Sequence, residues 1–543
     1  MRKIRNFIFL FTFVSFIFFV VNIGIGQTIF VPYGATWKYL DDGSDQGTAW
    51  RQISFDDSTW KSGPAQLGYG DDGEVTVVSY GPNRMNKYIT TYFRHTFEVE
   101  NSGQYIGFTL KIRYDDGAIV YLNGTEVMRT NMPEGIIQYN SYAVGGSGED
   151  ECFLDKKYIR DGTNLLAVEV HQAHPRSTDI MFDLELTSAS KLPDFTRKAP
   201  YLIYAGKNTE MKICWQVTDT VKCRLEWGSD SSYSSGNVET MEYGDDHQHS
   251  FTFVNLIPDT KYFYRVTVNQ EIYKGSFRTA PDNNATEIKF MVFGDTRTYP
   301  NIQNKVAGAM VSTFFEYERF QSFVLCVGDL VGNGDSESNW DKQFFDKTYQ
   351  NIQTLHSNLP FQSCMGNHEG SGKLFVKYFP YPFVDQRYWS FDYGSAHIAI
   401  FDQYIEDSTG MKQQLDWLKD DLATKTKPWK FICLHEPGWS SGGHGNNKYV
   451  QTTIQPLCEQ YGVQIVFAGH NHYYAHAVVN NVHHITTGGG GAPLHEPKEV
   501  YPYVISFQGV NHFCKVAING NELNFSAVTP EGAIIDQFTI NIE

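Results

Sequence analysis

The sequence has few charged residues, and basic residues are the scarcer kind. Only 19% of its 543 residues are charged, and 61 acidic residues outnumber 44 basic ones, which leaves a formal net charge of −17. A surface this acidic repels a phosphate backbone, so we expect no extended nucleic-acid interface. Glycine (47 residues) and aromatic residues (15%) are plentiful, a composition that suits compact β-rich domains and argues against disorder.

Cysteine is scarce as well, and its placement does not suggest a disulfide framework. Of the eight cysteines, Cys326, Cys364 and Cys433 lie in or beside apolar strands, where buried thiols behave as small hydrophobic groups. Cys214 and Cys223 flank a possible hairpin. They would pair only in an oxidising compartment and with suitable geometry, and the sequence leaves that question open.

No apolar run in the N-terminal region reaches the length of a membrane span. The run Phe7–Val21 has 15 residues, whereas a spanning helix needs about 20. Arg2, Lys3 and Arg5 precede it and small residues follow, a pattern that predicts a signal peptide over residues 1–26. We therefore expect a secreted, periplasmic or cell-surface protein without stable membrane insertion after cleavage; an uncleaved anchor is the alternative.

The length suits roughly three domains. From residue 27 to 190, short β-rich runs alternate with Asp-Asp-Gly and Asn-Gly turns, a pattern typical of a β-sandwich or jelly roll. The clearest predicted strands are Tyr92–Val99, Phe108–Tyr114, Ala118–Leu122 and Leu165–Val170. The stretches FDDSTWKSGPAQLGYGDDGE, YFRHTF, YDDGAIVYLNGTEV and NLLAVEVHQ resemble galactose-binding-like jelly-roll modules, which implies a glycan contact or a spacer role.

Residues 195–282 form a second all-β region. Its predicted strands are MKICWQVT, VKCRLEWG, SFTFVNL and KYFYRVTV. The stretch LIPDTKYFYRV, followed by SFRTAP, resembles a fibronectin-III-like sandwich of the kind that precedes the catalytic domain in purple acid phosphatases. This resemblance implies a scaffold without catalytic residues of its own.

Residues 286–543 alternate strands with helices, which predicts a layered α/β domain. The predicted helices are Asn301–Tyr317, Met411–Thr424 and Thr452–Tyr461, and the segment from His512 onward reads as a β meander that closes the same domain. The predicted fold class is thus multidomain, with two all-β sandwich domains followed by an α/β (α+β layered) domain.

Five short motifs in the third region carry the functional signal. They are GDTR at 294–297, GDLV at 328–331, GNHE at 366–369, LHEP at 434–437 and GHNH at 469–472. Each follows a predicted strand, and α/β sheets build their sites just beyond the carboxyl ends of strands. Carboxylate, amide and imidazole donors suit Fe, Mn or Zn. One motif alone is a weak signal, but the ordered set is a strong one.

The ordered set resembles the calcineurin-like metallophosphoesterase family, which implies two metal ions (Fe, Zn or Mn). By this resemblance Asp329 bridges the ions, Asp295 and His472 complete the first site, and the second site takes Asn367, His435 and His470. Such a pair lowers the pKa of a bridging water and clamps phosphate for in-line attack. The implied reaction is hydrolysis of small phosphate monoesters. A phosphodiesterase is one alternative, and a glycan-binding surface protein with a degenerate phosphatase domain is another.

The sequence departs from the family pattern at the first metal ion. The family supplies one more ligand there, a histidine two residues after the first aspartate or a tyrosine three residues after the bridging one. Here these positions hold Arg297 and Gly332, and arginine has no lone pair to offer a metal. Water, Asn333 or Tyr299 could fill the gap. We expect a weakly held first ion and no tyrosinate-to-iron colour.

Three further residues are candidates for contact with substrate. By resemblance, His368 protonates the leaving alcohol or stabilises the equatorial oxygens, with support of the metal ligands as the alternative. Arg297 either grips a phosphoryl oxygen or holds its loop through an ion pair. His444, in the loop SSGGHGNN, either reaches the substrate or faces solvent.

Overall fold

The computed structural model describes residues 27–70, 73–190, 194–242, 246–385, 387–497 and 501–543. The predicted signal peptide therefore lies outside the described residues. The chain is sheet-rich and divides into two compact units, Met1–Pro193 and Asp194–Glu543. Among the described residues, every helix is too short or too polar to cross a bilayer.

The first unit consists almost entirely of strands. They are β1 (Ile29–Val31), β2 (Thr36–Leu40), β3 (Lys61–Pro64), β4 (Leu67–Tyr69), β5 (Thr76–Val77), β6 (Thr90–Val99), β7 (Phe108–Asp115), β8 (Gly117–Leu122), β9 (Thr125–Thr130), β10 (Gly148–Leu154), β11 (Gly162–His171) and β12 (Ile180–Ser188). The four strands predicted here lie within β6, β7, β8 and β11.

Two six-stranded sheets face each other in this unit. One has the order β3-β2-β6-β11-β8-β9, and the other has the order β10-β7-β12-β4-β5 with β1 beside β12. Inward side chains of both sheets form one core, in which Phe93 of β6 stacks on Phe182 of β12 with ring centroids 4.5 Å apart. The unit is a β-sandwich because its strands alternate inward apolar residues with outward polar ones.

The second unit begins with a smaller pair of sheets. Its strands are β13 (Thr196–Ile203), β14 (Met211–Val217), β15 (Cys223–Gly228), β16 (Gly236–Thr240), β17 (Gln248–Phe253), β18 (Lys261–Val268) and β19 (Glu271–Arg278). The sheets have the orders β13-β14-β17 and β16-β15-β18-β19, and a compact core lies between them.

Cys214 and Cys223 are both free thiols in this sandwich. Cys223 belongs to the sandwich core, where the indole of Trp215 donates a hydrogen bond to its Sγ atom at 3.3 Å. Cys214 precedes Trp215 on β14 and packs in a different cluster, with the following domain. Adjacent residues of a strand point to opposite faces, so Cys214 points away from the sandwich core that Trp215 enters. Cys223, on β15 of the other sheet, points into that core, and the β13-β14-β17 sheet therefore separates the two thiols.

The rest of the second unit alternates strands and helices. In chain order they are β20 (Glu287–Phe293), α1 (Pro300–Glu316), β21 (Val324–Cys326), α2 (Glu337–Lys342), α3 (Gln350–Asn358), β22 (Phe361–Ser363), α4 (Lys373–Tyr378), β23 (Trp389–Tyr393), β24 (Ala396–Ile400), α5 (Ser408–Thr424), β25 (Trp429–Cys433), α6 (Gln455–Tyr461, after a π turn at Val450–Ile454), β26 (Ile465–Ala468), β27 (Tyr474–Val479), β28 (Val482–Thr487), β29 (Val504–Gln508), β30 (Phe513–Asn519), β31 (Glu522–Val528) and β32 (Ile534–Asn541).

Two mixed sheets form the centre of this region. One has the order β22-β21-β20-β30-β31-β32 and the other β23-β24-β25-β26-β28-β27-β29. The largest apolar cluster of the chain includes residues of both sheets. Helices α5 and α6 cover the second sheet with Leu418, Leu422 and Leu457. The C-terminal meander joins the first sheet through β30, which pairs antiparallel with β20.

The segment from residue 337 to 358, which is predicted from its aromatic amphipathic pattern over Ser338–Leu355, forms the two short helices α2 and α3. Gln343, between α2 and α3, has φ −123° and ψ −87°, which no helix accommodates. The chain leaves the helix there because Phe344 and Phe345, consecutive in sequence, both enter the core. One face of a continuous helix cannot bury two neighbouring residues equally.

His397 on β24 is a buried histidine held between two carboxylates. Its Nδ1 donates to Asp392 and its Nε2 donates to Asp421, each at 2.7 Å. Burial lowers the pKa of His397, but the two carboxylates outweigh it, and the net pKa lies above the ordinary value. The imidazolium form is therefore the one that stabilises the fold.

We expect His397→Gln to destabilise the protein more at pH 6 than at pH 9. A group whose pKa is raised by folding contributes its full stabilisation below the unfolded pKa and loses it as pH rises through the folded pKa. Breaking a buried ion pair costs about 3 kcal/mol. Thermal unfolding at both pH values measures this, with exposed His174→Gln as control. The difference in melting temperature between the unaltered protein and His397→Gln should be smaller at pH 9 than at pH 6. An equal difference at both pH values would show that the His397 ring is neutral in the folded protein.

Candidate metal centre

The five motifs lie at one edge of the two mixed sheets. Strands β20, β21 and β22 are parallel neighbours in one sheet, and the loops that follow them carry Asp295, Asp329 and Asn367. Strands β25 and β26 are parallel neighbours in the other sheet, and the loops after them carry His435, His470 and His472. Because parallel strands end at the same edge, these loops converge.

Three of these residues adopt a left-handed backbone conformation. Asp295, Asp329 and His470 have φ values of +53°, +54° and +65°. Aspartate and histidine are among the non-glycine residues that tolerate this region, at some cost in energy. The tight turn reverses the chain just after each strand and places the side chain over the sheet edge.

Two glycines permit the close approach of the loops. A Cβ atom at Gly366 would lie 2.2 Å from Oδ1 of Asp329, and one at Gly469 would lie 2.3 Å from Oδ2 of Asp295. In the GHNH motif the left-handed residue is His470 and not the glycine before it. Gly469 is needed because a carboxylate packs against its backbone.

Four donor atoms have the spacing of a metal polyhedron. Nε2 of His435 lies 3.3 Å from Oδ1 of Asp329 and 3.2 Å from Oδ1 of Asn367, which lies 3.0 Å from Nδ1 of His470. A metal with ligands at about 2.1 Å holds them roughly 3.4 Å apart in tetrahedral geometry. We call these four residues the second-ion set, because the three distances that link their donor atoms match the spacing around one cation.

The remaining candidates form a first-ion set of Asp295, Asp329 and His472. Oδ1 of Asp295 lies 3.5 Å from Nε2 of His472, and donor atoms of Asp295, Asp329 and His435 all lie within 4.8 Å of one another. Asp295 and Asp329 are 0% and 1% exposed. Two buried carboxylates this close require nearby positive charge.

Backbone carbonyls orient two of the histidines. Nδ1 of His435 donates to the carbonyl of Val327 at 2.6 Å, and Nδ1 of His472 donates to the carbonyl of Pro493 at 2.7 Å. A carbonyl only accepts, so Nδ1 of each ring carries a proton whether or not Nε2 does. Nε2 is therefore the nitrogen that faces the centre, and it offers a lone pair to a metal once it is deprotonated.

The protein groups shift one another's pKa values strongly. Burial, followed by the charge of Asp329, raises the pKa of Asp295 far above its ordinary value. Burial also raises the pKa of Asp329, but the imidazole of His435 outweighs it and leaves a pKa below the usual range. The pKa of His435 is lowered by burial, yet Asp329 brings it to about 10. A bound cation would take the place of that imidazolium proton.

Glu369 positions the loops that carry the ligands. It is fully buried, and its carboxylate accepts the backbone N–H groups of Asp329, Leu330 and Gly366 at 2.9, 2.8 and 2.6 Å. Burial, followed by the charge of Asp329, raises its pKa to about 7. One side chain thus ties the loop after β21 to the loop after β22.

Arg297 reaches into the first-ion set. Its Nε donates to Oδ2 of Asp329 at 3.3 Å, and its Nη2 donates to Nε2 of His472 at 3.3 Å. The ion pair expected as one alternative therefore forms. Of the two residues suggested as replacement ligands, Asn333 accepts the backbone N–H of Asp335 with its Oδ1, and Tyr299 is 47% exposed.

His368 and His444 lie at the rim. Nδ1 of His368 donates to the carbonyl of Gly332 at 2.8 Å, and its Nε2 lies 3.9 Å from Oδ2 of Asp329. His444 is exposed, and its ring centroid lies 4.2 Å from that of His470. The structure thus brings all nine candidate residues to one centre, with these two on its open side.

Sequence reasoning missed two residues of the centre. His495 stacks on His472 with ring centroids 4.0 Å apart and helps to line a cavity of about 600 Å³ with His444. Oε1 of Gln403 accepts the backbone N–H groups of His435 and Glu436. Neither lies in one of the five motifs, and their contacts with the centre are seen only in the fold.

Comparisons with known proteins agree with this geometry. Residues 288–474 match the family model for calcineurin-like phosphoesterase, and residues 198–280 match that for the purple acid phosphatase N-terminal domain. Purple acid phosphatase 23 of Arabidopsis thaliana is 28% identical over 298 residues, 45% of this chain and 62% of its own. Mouse acid phosphatase type 7 is 24% identical over 342 residues, 54% of this chain and 73% of its own.

Solved structures share the fold. A purple acid phosphatase from yellow lupin seeds has a TM-score of 0.52 at 17% identity, covering 88% of this chain and 95% of its own. A structure of PhoD has a TM-score of 0.52 at 13% identity, covering 65% and 92%. Among curated relatives, the match spans just under two thirds of the Arabidopsis protein and of a Mycobacterium tuberculosis protein, 62% and 66% of their lengths.

Proposed function

Since the chain belongs to the calcineurin-like metallophosphoesterases and carries a purple acid phosphatase N-terminal domain before its metal centre, we propose that it is a metal-dependent hydrolase of small phosphate monoesters. One observation carries the proposal: six ligand-type side chains from five loops converge at one edge of two sheets. This family implies a dinuclear centre, and the donor types suit Fe, Zn or Mn.

Bound metal would supply Lewis-acid polarisation of a water molecule and of a phosphoryl oxygen. The chain's own residues would donate a proton to the leaving group and bind the substrate. As the new P–O bond forms from the water oxygen and the ester P–O bond breaks opposite it, protonated His368 would give its Nε2 proton to the leaving alkoxide. The proton that the water loses passes to solvent, from which His368 regains its own. His368 is suited to this because the Gly332 carbonyl holds Nδ1, which leaves Nε2 facing the centre. Arg297 and His444 would contact the phosphoryl group and the leaving group.

The phosphodiesterase alternative uses the same water chemistry and differs in the ester it accepts. We expect a higher kcat/KM for a nitrophenyl phosphate monoester than for the bis-nitrophenyl diester. Both release nitrophenolate, so one absorbance assay measures both, and a preparation of the Asp329→Asn variant reports contaminating phosphatase. The opposite preference would identify a phosphodiesterase.

The domain boundaries and location extend the proposal. We assign residues 27–190 to a jelly-roll module, 195–282 to the fibronectin-III-like scaffold and 286–543 to the phosphoesterase domain.

A cavity of about 510 Å³ in the first module supports a glycan contact there; Arg51, Tyr92 and Glu169 are among the residues that line it. Loss of retention on immobilised glycans by the Glu169→Gln variant would test this contact. Secretion rests on residues 1–26 and predicts a mature N-terminus near residue 27.

A further inference from the structure

The guanidinium of Arg297 hydrogen-bonds the atoms that a first metal ion would need. It donates from Nε to Oδ2 of Asp329 and from Nη2 to Nε2 of His472, both at 3.3 Å, and its side chain is 16% exposed. Oδ2 of Asp329 is the oxygen that remains after Oδ1 faces the second-ion set. Two of the three first-ion ligands are thus bound by arginine.

Arginine and a metal ion exclude each other at His472. An imidazole nitrogen has a single lone pair in the ring plane, and here that of Nε2 accepts the Arg297 N–H, because Nδ1 donates to the Pro493 carbonyl. Arginine also keeps its positive charge, so it would repel a cation placed beside it. The family pattern instead has a neutral histidine at this position of the sequence.

The second-ion set lacks such a competitor. Nε2 of His435 lies 3.3 Å from Oδ1 of Asp329 and 3.2 Å from Oδ1 of Asn367, and Nδ1 of His470 lies 3.0 Å from that same Asn367 oxygen. Among the hydrogen bonds of the described residues, no Lys or Arg side chain donates to Asn367, His435 or His470. One cation in this set and one guanidinium beside it provide the positive charge that the two buried carboxylates need.

We infer that the resting centre holds one metal ion, in the second-ion set, and that Arg297 takes the place of the first ion. The inference rests on the proposed function. Nη1 of Arg297 donates a hydrogen bond to Oγ1 of Thr298 at 3.2 Å. A phosphoryl oxygen can take the place of Thr298 as the acceptor of this bond. The arginine would then bind the phosphoryl group where a dinuclear enzyme of this family uses a metal.

Metal content and spectroscopy test the inference without reference to turnover. We expect elemental analysis of the desalted chain, reconstituted with Mn²⁺, to find one ion per chain, with the six-line electron paramagnetic resonance spectrum of an isolated Mn²⁺. His470→Ala should lose this ion, and His472→Ala should keep it. Two ions with a spin-coupled spectrum would overturn the inference, and so would an ion lost with His472→Ala but kept in His470→Ala.

A substitution at Arg297 gives the converse test. Arg297→His restores a ligand of the family type, so we expect two ions per chain and a spin-coupled Mn²⁺ spectrum. Adding His472→Ala to this variant should return the count to one. A count of one in a folded Arg297→His chain would contradict the inference. The two proposals fail differently: two ions in the unaltered chain would leave the proposed hydrolase intact, whereas no ion and no activity would reject both.

Discussion

Asp329→Asn should abolish phosphate ester hydrolysis and metal retention while the chain stays folded. The asparagine keeps the shape of the side chain but removes the negative charge that faces the second-ion set, Arg297 and His368. Loss of charge stabilisation alone costs about 10²- to 10³-fold in kcat, and loss of the metal-activated water adds to that. Asn367→Ala, which removes one ligand of the same set, should act in the same direction.

Steady-state kinetics and elemental analysis on the same preparations measure this prediction. Asp416→Asn is a matched control, because the Asp416 side chain is half-exposed on helix α5 and forms ion pairs with Lys412 and Lys419, away from the metal centre. Circular dichroism shows whether the sheets remain. Wild-type turnover by folded Asp329→Asn would reject the centre as the site of catalysis.

His368→Asn should slow hydrolysis of alkyl phosphates about 10²- to 10⁴-fold, the range for loss of general acid catalysis. Nitrophenyl phosphate should be affected much less, because nitrophenolate leaves without protonation. The orientation of the ring supports this difference. Its Nδ1 bond to the Gly332 carbonyl and the 3.9 Å separation of Nε2 from Asp329 leave Nε2 as the atom that faces the centre.

The comparison of leaving groups separates two roles of His368. If His368 is the proton donor, a plot of log kcat against the pKa of the leaving alcohol has a steeper slope for the variant than for the unaltered protein, because poor leaving groups depend most on protonation. A residue that only supports the metal ligands slows every ester equally and changes the metal content. Equal loss on alkyl and nitrophenyl esters would therefore rule out the acid role, and His368→Gln checks that the result does not depend on side-chain length.

Much of the centre could be predicted from sequence because each ligand stands beside a strand whose apolar run is easily read. Asp295 follows EIKFMVFG, and His470 follows QIVFAG. Parallel strands bring such positions together whatever the loop details. His495 could not be found in this way, because it lies in a loop without a flanking strand pattern and meets the centre only through tertiary packing. Gln403 follows the apolar run of β24, but it acts through its contact with the backbone of the next strand-end loop, which only the fold shows.

The sequence by itself determined the sheet-rich layers, the four clearest strands of the first sandwich and the set of residues able to bind metal, because hydrophobic period, turn residues and donor chemistry are local properties. Only the tertiary structure decided how those donors divide. It separates a converging set at Asn367, His435 and His470 from a set that Arg297 already binds. That division depends on the position of the Arg297 guanidinium among side chains from loops that are distant in sequence. Distances between such loops follow from the packing of the whole domain and cannot be inferred from a single segment.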